Sequence, residues 1–157
     1  MAISPYLKRI RENVGHDLVL MPSVAVLPWD KDGRLLMVQE LQSGLWQTVG
    51  GGIEPDEAPI DAAVREAEEE AGVRVRIDRI RAVTGGPQYR LRYPNGDLVS
   101  YDSIVFDARV LGGTPRPDGE ETVAAAWFSP SELGDLALSD FTVELLKDPA
   151  VAILGNG

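Results

Sequence analysis

Apolar residues recur along the chain with two different periods, and the period of about 3.6 residues predicts helices. The clearest helix spans Ala58–Ala71, where Gly72 suits the C-terminal cap. Its apolar face would be formed by Ile60, Val64, Ala67 and Ala71. Two shorter helices are predicted over Pro5–Val14 and Ser139–Leu146, and Ser129-Pro130-Ser131-Glu132 has the composition of a further helix start.

Alternating or continuous apolar runs predict strands between these helices. The predicted strands are Asp17–Leu27, Arg34–Gln39, Val73–Val83, Gln88–Tyr93, Leu98–Val110 and Thr122–Phe128. The segment Gly44–Gly52 has loop composition, with a short strand expected at Trp46–Val49. Strands dominate and do not alternate regularly with helices, so we expect one α+β domain over residues 1–157.

Composition excludes several classes of chemistry. The chain has no cysteine and a single histidine, His16, which excludes disulfides, thiol nucleophiles and multi-histidine zinc sites. A formal net charge of -10 argues against a broad nucleic-acid-binding surface, which is normally basic. No apolar run reaches membrane-spanning length, and the first residues are too charged for a signal peptide, so we expect a cytoplasmic protein.

The central predicted helix is unusually acidic. Between Glu54 and Ala71 there are eight acidic residues and one basic residue, Arg65. Glu69 and Glu70 project near Glu66, and like charges at that spacing destabilise an isolated helix. A divalent cation would offset the repulsion, because hard cations bind carboxylate oxygens. A solvated acidic helix face is the alternative interpretation.

Three consecutive glycines, Gly50-Gly51-Gly52, lie just before the acidic helix. Glycine lets the backbone approach a ligand closely, and amides near a helix N-terminus favour anions. The three glycines therefore favour a binding site for a metal-bound diphosphate over a solvated acidic surface as the interpretation of the helix.

These residues also match a known family. Gly51, five residues, Glu57, seven residues and then Arg65-Glu66-Ala67-Glu68-Glu69-Glu70-Ala71-Gly72-Val73 resemble the complete Nudix box. The segments Leu45–Thr48 and Ala126–Leu133 resemble sequences commonly found around it. The resemblance implies the Nudix fold, in which a mixed β-sheet is sandwiched between helices, and a catalytic loop–helix–loop unit.

The resemblance also implies roles for individual residues. Glu66, Glu69 and Glu70 would bind magnesium, with manganese as an alternative, and the backbone carbonyl of Gly50 would be a further ligand. Arg65 would hold a metal-binding glutamate, and Glu57 would lie near the metal. Ile60, Val64 and Ala67 would pack the helix on the sheet.

The general base is open at this point. Some family members use a carboxylate just before the tryptophan of a late strand, but Ala124, Ala125 and Ala126 occupy that stretch here. The nearest acids are Glu120 and Glu121. Either of these, or a glutamate of the box, would serve, and an exposed turn is the alternative interpretation of the pair.

Substrate specificity lies largely outside the box. Trp46 is a candidate for stacking on a nucleobase, although packing against the core suits it equally. Arg90 and Tyr101 on the predicted hairpin are further candidates for substrate contacts, against a solvated strand face as the alternative.

The resemblance predicts metal-dependent hydrolysis of a phosphoanhydride bond in a small-molecule nucleoside diphosphate derivative. Nucleoside triphosphates, ADP-ribose, nucleotide sugars and dinucleoside polyphosphates all stay open as substrates. A catalytically silent nucleotide-binding or sensor domain of the same fold is the alternative. The family often forms homodimers, which this sequence allows.

Overall fold

The computed structural model describes residues 3–155, so residues 1–2 and 156–157 of the expected domain lie outside the described part of the chain. The α-helices are α1 (Pro5–Val14), α2 (Pro59–Ala71) and α3 (Asp140–Lys147). The strands are β1 (Val19–Trp29), β2 (Leu35–Glu40), β3 (Trp46–Gly52), β4 (Arg74–Thr84), β5 (Arg90–Arg92), β6 (Leu98–Gly112) and β7 (Thr122–Phe128). None of the helices within residues 3–155 has the length and apolar character that a membrane crossing requires.

All seven strands form one mixed sheet in the order β4-β6-β1-β3-β2-β7, with β5 paired beside the start of β6. The central pair, β1 and β6, is parallel, whereas the other pairings are antiparallel. The α+β class expected from the sequence is confirmed.

Helices α2 and α3 cover opposite faces of the sheet. Val24 of β1 belongs to the core cluster that includes Ala63 and Ala67 of α2. Its neighbour Ala25 belongs to the cluster that includes Leu145 of α3. Successive strand residues point to opposite faces, so the two helices sandwich the sheet.

The bounds of α2 follow from its end residues. Pro59 begins the helix, where its missing N–H costs no hydrogen bond. Gly72 ends it in the left-handed conformation with φ 67°, and its N–H donates to the carbonyl of Glu68 at 3.0 Å. The well-defined first and last residues of α2 therefore determine which of its side chains face the sheet.

One predicted packing contact of α2 is wrong. Ile60 is 52% exposed, whereas Val64 packs against the core cluster from a partly buried position. The buried apolar positions of α2 are the alanines 62, 63, 67 and 71. These small side chains let the helix lie close to the sheet, and Ile60 in the first turn is left outside that contact.

Three local predictions also change. Trp46–Gly52 is a full strand, because its first three residues pair with β2 and its last four pair with β1, and the pairing with β1 overrides the weak strand propensity of glycine. Pro87–Tyr89 forms a short 3₁₀-helix before the strand Arg90–Arg92. The helix start expected at Ser129–Glu132 is a turn that leads into a 3₁₀-helix at Leu133–Asp135.

Candidate active site

Two glutamates of α2 face inward beside the glycines of β3. Glu66 and Glu70 lie one turn apart, and each is only 7% exposed. A Cβ atom on Gly51 would collide with the carboxylate of Glu66. The backbone N–H of Gly50 donates to Oε2 of Glu70 at 3.1 Å. Gly51 therefore admits the carboxylate of Glu66 against the strand, whereas a Cβ atom on Gly50 would meet the backbone carbonyl of Val24 in β1.

Arg65 joins several acidic side chains of this region. Its Nε and Nη2 donate to the two carboxylate oxygens of Glu57 at 2.7 and 2.9 Å. Its Nη1 donates to Glu66 at 2.9 Å and to Glu69 at 3.1 Å. Nη2 also donates to the carbonyl of Gly52 at 3.1 Å. Arg65 thus fixes Glu57 and the β3 backbone relative to the acidic face of α2.

The electrostatics divide the carboxylates into two kinds. Hydrogen bonds from Arg65 lower the pKa of Glu57 below its ordinary value, despite partial burial. Burial raises the pKa of Glu66 to about 7, although the charge and hydrogen bond of Arg65 act in the opposite direction. Burial, followed by the charge of Glu66, raises the pKa of Glu70 well above its ordinary value. The buried pair therefore lacks sufficient positive charge around it.

The donor set fits a hard divalent cation. Within residues 3–155, no three or more acidic, histidine or cysteine side chains are already arranged around one point as metal ligands. Glu66 and Glu69 instead contact Arg65, and Glu70 contacts the N–H of Gly50. The oxygen-only donors and the uncompensated charge of the buried pair match what magnesium or manganese binds.

The loop before β7 separates the two candidate bases. Glu121 lines the cleft with Glu70, and its charge contributes to raising the pKa of both Glu66 and Glu70. Glu120 does not line either cavity. The structure therefore brings Glu121, but not Glu120, to the buried glutamate pair.

Two cavities of about 590 and 550 Å³ meet at this cluster. The first is bordered by α1 through Leu7 and Arg11, and the second by α3 through Phe141 and Thr142. The residues that line both are Gln42, Glu70, Tyr93, Pro94, Tyr101 and Glu121. The acidic residues therefore lie between two spaces, each large enough for an organic group.

The structure separates the three residues expected to contact substrate. Tyr101 lines both cavities, and its hydroxyl lies 2.6 Å from that of Tyr93. Trp46 packs edge to face on Phe128, with ring centroids 5.0 Å apart, and lines neither cavity. Arg90 follows the 3₁₀-helix at Pro87–Tyr89, is exposed and also lines neither. Of the three candidates, only Tyr101 therefore lies at the cavities beside the acidic cluster.

Sequence reasoning missed Tyr93 and Phe141 in the walls of the cleft. Phe141 of α3 packs edge to face against Tyr101, with ring centroids 5.8 Å apart. Burial raises the pKa of both Tyr93 and Tyr101, so the paired phenols stay neutral near pH 7. No local motif marks either residue, because both reach the cleft only through the pairing of β5 with β6 and the docking of α3.

Comparisons with known proteins identify the family that the chain resembles. The sequence model of the family described as "NUDIX domain" matches residues 19–148. A "MutT-like protein" of Streptomyces ambofaciens is 32% identical over 124 residues, which are 79% of this chain and 73% of that relative.

Two further matches carry more specific names. A "Putative 8-oxo-dGTP diphosphatase" of Bacillus subtilis (strain 168) is 28% identical over 108 residues, which are 69% of this chain and 66% of that relative. Among solved structures, an ADP-ribose pyrophosphatase of Streptococcus suis 89-1591 superposes with a TM-score of 0.63 at 27% identity. That match covers 85% of this chain and 87% of the other.

Proposed function

The chain belongs to the Nudix family of hydrolases, and we propose that it hydrolyses a phosphoanhydride bond in a nucleoside diphosphate derivative with a divalent cation. The observation that carries the proposal is the position of the acidic cluster at the two cavities, because Glu70 and Glu121 line both and Glu66 lines the first. An acidic cluster between two organic-sized spaces suits a diphosphate whose negative charge is offset by cations.

Glu66, Glu69, Glu70 and the carbonyl of Gly50 would hold magnesium, or manganese in its place. A bound cation of this kind offsets phosphate charge and lowers the pKa of an attacking water. Glu66 and Glu69 would exchange their contacts with Arg65 for the ion. Arg65 would keep its two hydrogen bonds to Glu57, which would hold the start of α2 in place during that exchange.

Glu121 is the residue we assign as general base. It would accept a proton from the attacking water, whose oxygen forms a new bond to phosphorus. The bond from that phosphorus to the bridging oxygen breaks, and its electron pair stays on the leaving phosphate. The reaction needs no covalent intermediate and no co-reactant other than water.

Nucleoside triphosphates, ADP-ribose and nucleotide sugars are the substrate classes that we propose to compare first. Hydrolysis of a triphosphate would give a monophosphate and pyrophosphate, whereas ADP-ribose or a nucleotide sugar would give two monophosphates. The names of the Bacillus and Streptococcus relatives represent both outcomes. The homodimer and the cytoplasmic location stay predictions.

The test is product analysis with magnesium, and then manganese, on a panel of these substrates and dinucleoside polyphosphates. We expect Glu69→Gln to lower turnover about a hundredfold or more, because it removes a charged metal ligand. Glu68→Gln is the matched control, since Glu68 is an exposed neighbour outside the buried pair. Unchanged turnover in Glu69→Gln would refute the metal assignment.

A binding or sensor domain without turnover is the competing proposal. It predicts nucleotide binding by calorimetry but no product from any member of the panel with either metal. The complete set Arg65, Glu66, Glu69 and Glu70 favours the enzyme, because a binder does not need all these carboxylates.

A further inference from the structure

The hydroxyl of Thr122 connects the loop that carries Glu121 to the end of α2. Thr122 is the first residue of β7 and is 1% exposed. Its Oγ1 donates to the backbone carbonyl of Glu70 at 3.1 Å. That carbonyl lies in the last turn of α2, where carbonyls have no partner within the helix. The neighbouring carbonyl of Ala71 accepts from the N–H of Arg116 at 2.9 Å, so the loop before β7 and the first residue of β7 each cap the helix once.

Asp118 stabilises the same loop by hydrogen bonds to its backbone. Its Oδ1 accepts from the backbone N–H groups of Glu120, Glu121 and Thr122 at 2.8, 2.8 and 2.9 Å. Its own N–H donates to Oγ1 of Thr122 at 3.0 Å. The hydroxyl oxygen of Thr122 also lies 3.3 Å from Oδ1 of Asp118, but the carbonyl of Glu70 is the nearer acceptor for its single proton. The Thr122 hydroxyl therefore accepts from the loop and donates to α2, so that one oxygen atom makes both contacts.

A third contact fixes the other side of Glu121. Its backbone carbonyl accepts from the N–H of Leu41, just after β2, at 2.8 Å. Glu121 is thus held between the β2–β3 turn and the end of α2. A turn that served only to enter β7 would not need a link that ends on the backbone of Glu70.

We propose that Thr122 and Asp118 are positioning residues that set the distance and direction between Glu121 and the buried pair Glu66–Glu70. The inference rests on the proposed function, in which Glu121 is the base and Glu66 and Glu70 are metal ligands. A base transfers a proton efficiently only within hydrogen-bond reach of its water, so a small shift of the loop slows the chemical step. Asp118 borders the first cavity and Thr122 the second, but Thr122 is only 1% exposed. Replacing its hydroxyl by a methyl group therefore leaves the surface offered to the substrate almost unchanged, and substrate binding changes little.

The first test compares two variants of Thr122. Thr122→Val keeps the shape but removes the hydroxyl, and we expect kcat to fall about tenfold to a hundredfold while KM for the nucleotide changes less than about twofold. Thr122→Ser keeps the hydroxyl, and we expect it to restore most of kcat. A merely structural role predicts instead that kcat follows the melting temperature in both variants.

Asp30→Ala controls for the loss of a turn aspartate in general. Asp30 accepts from the N–H groups of Asp32 and Arg34 at 2.9 Å each, much as Asp118 does, but in a turn that lines neither cavity. We expect Asp118→Ala to lower kcat and Asp30→Ala to lower only stability. An equal loss of kcat in both variants would contradict the positioning role of Asp118.

The second test asks whether Thr122 acts through Glu121. In the Glu121→Gln background, Thr122→Val should lower kcat by less than about twofold, because Thr122 then has no base to position. The same fold loss in both backgrounds would overturn the inference while leaving the hydrolase function intact.

Amide hydrogen exchange of the metal-free protein provides a readout independent of turnover. Thr122→Val should speed exchange at Glu120, Glu121 and Thr122, whereas Thr122→Ser should not. Unchanged exchange at these amides in Thr122→Val overturns the inference even if kcat falls. Absence of hydrolysis by the wild-type protein, with faster exchange in Thr122→Val, would instead count against the proposed function alone.

Discussion

At the scale of single residues, the arrangement of the candidate site depends more on how closely the backbone and the side chains approach each other than on charge. Gly51 lies in β3, where the strand passes the carboxylate of Glu66. Any other residue at this position would place its Cβ atom in the space that this carboxylate fills. The requirement is steric, because a Cβ atom there would meet both carboxylate oxygens of Glu66 and the carbon between them. The glycine of the sequence motif is thus explained by contact with a glutamate fifteen positions away.

We expect Gly51→Ala to displace Glu66 and to destabilise the fold by about 1–3 kcal/mol, the usual cost of overpacking. Turnover should fall with it, since Glu66 would no longer lie beside Glu70. Gly134→Ala is the control, because a Cβ atom on Gly134 meets nothing within 4 Å. Denaturant unfolding and steady-state rates of both variants check this. Equal free energies of unfolding would contradict the prediction, because they would show that the strand moves aside at no cost.

At the scale of elements, a buried aspartate ties three strands together on the side away from the acidic cluster. Asp107 of β6 accepts from Nε1 of Trp29 in β1 at 2.9 Å. It also accepts from Arg79 and Arg81 of β4, at 2.7 and 3.1 Å. Burial alone would raise the pKa of Asp107, but these hydrogen bonds and the charge of Arg81 together hold it below its ordinary value of 3.8.

The lowered pKa of Asp107 predicts a direction for acid unfolding. A carboxyl group with a depressed folded-state pKa contributes stability that is present above its unfolded pKa and is lost as pH falls through the folded pKa. We expect Asp107→Asn to lower the free energy of unfolding by about 2 kcal/mol at pH 7. The difference from wild type should shrink as pH falls below 3.8.

Asp78→Asn is the control for that titration. Asp78 pairs with Arg76 and Arg109 at the surface, where ion pairs contribute about 0–1 kcal/mol. Urea unfolding of both variants from pH 7 to pH 3 compares them. A gap between wild type and Asp107→Asn that widened toward low pH would contradict the depressed pKa.

At the scale of the whole molecule, the charge balance makes a bound cation a source of stability. The chain has a formal net charge of -10, and Glu66 and Glu70 are buried with insufficient positive charge around them. A ligand that binds only the folded state stabilises it by mass action. The carboxylates that we propose for catalysis would therefore weaken the metal-free fold.

We expect magnesium at about a hundred times its dissociation constant to stabilise the protein by about 2.7 kcal/mol and to raise Tm by about 5–10 °C. Glu68→Gln should show the same rise, and Glu69→Gln a much smaller one. Sodium chloride at matched ionic strength controls for screening of the overall charge. Scanning calorimetry with and without EDTA measures the shift, and an equal rise in Glu69→Gln would point to binding elsewhere.

The sequence by itself determined what depends on neighbours along the chain. The helix α2, its glycine end and the order of Arg65, Glu66, Glu69 and Glu70 are contiguous, so helical periodicity and local capping were enough to predict them. The Nudix resemblance rests on that same segment, because the motif is one continuous stretch.

Tertiary structure decided what depends on residues far apart in sequence. The glycine-rich half of β3 forms a strand because it pairs with β1, although its own composition does not favour a strand. Glu121 rather than Glu120 lines the cleft with Glu70, and Thr122 ties the same loop to the carbonyl of Glu70, 52 positions earlier. Local propensity does not predict such contacts, since their free energy arises only when the sheet brings the two segments together.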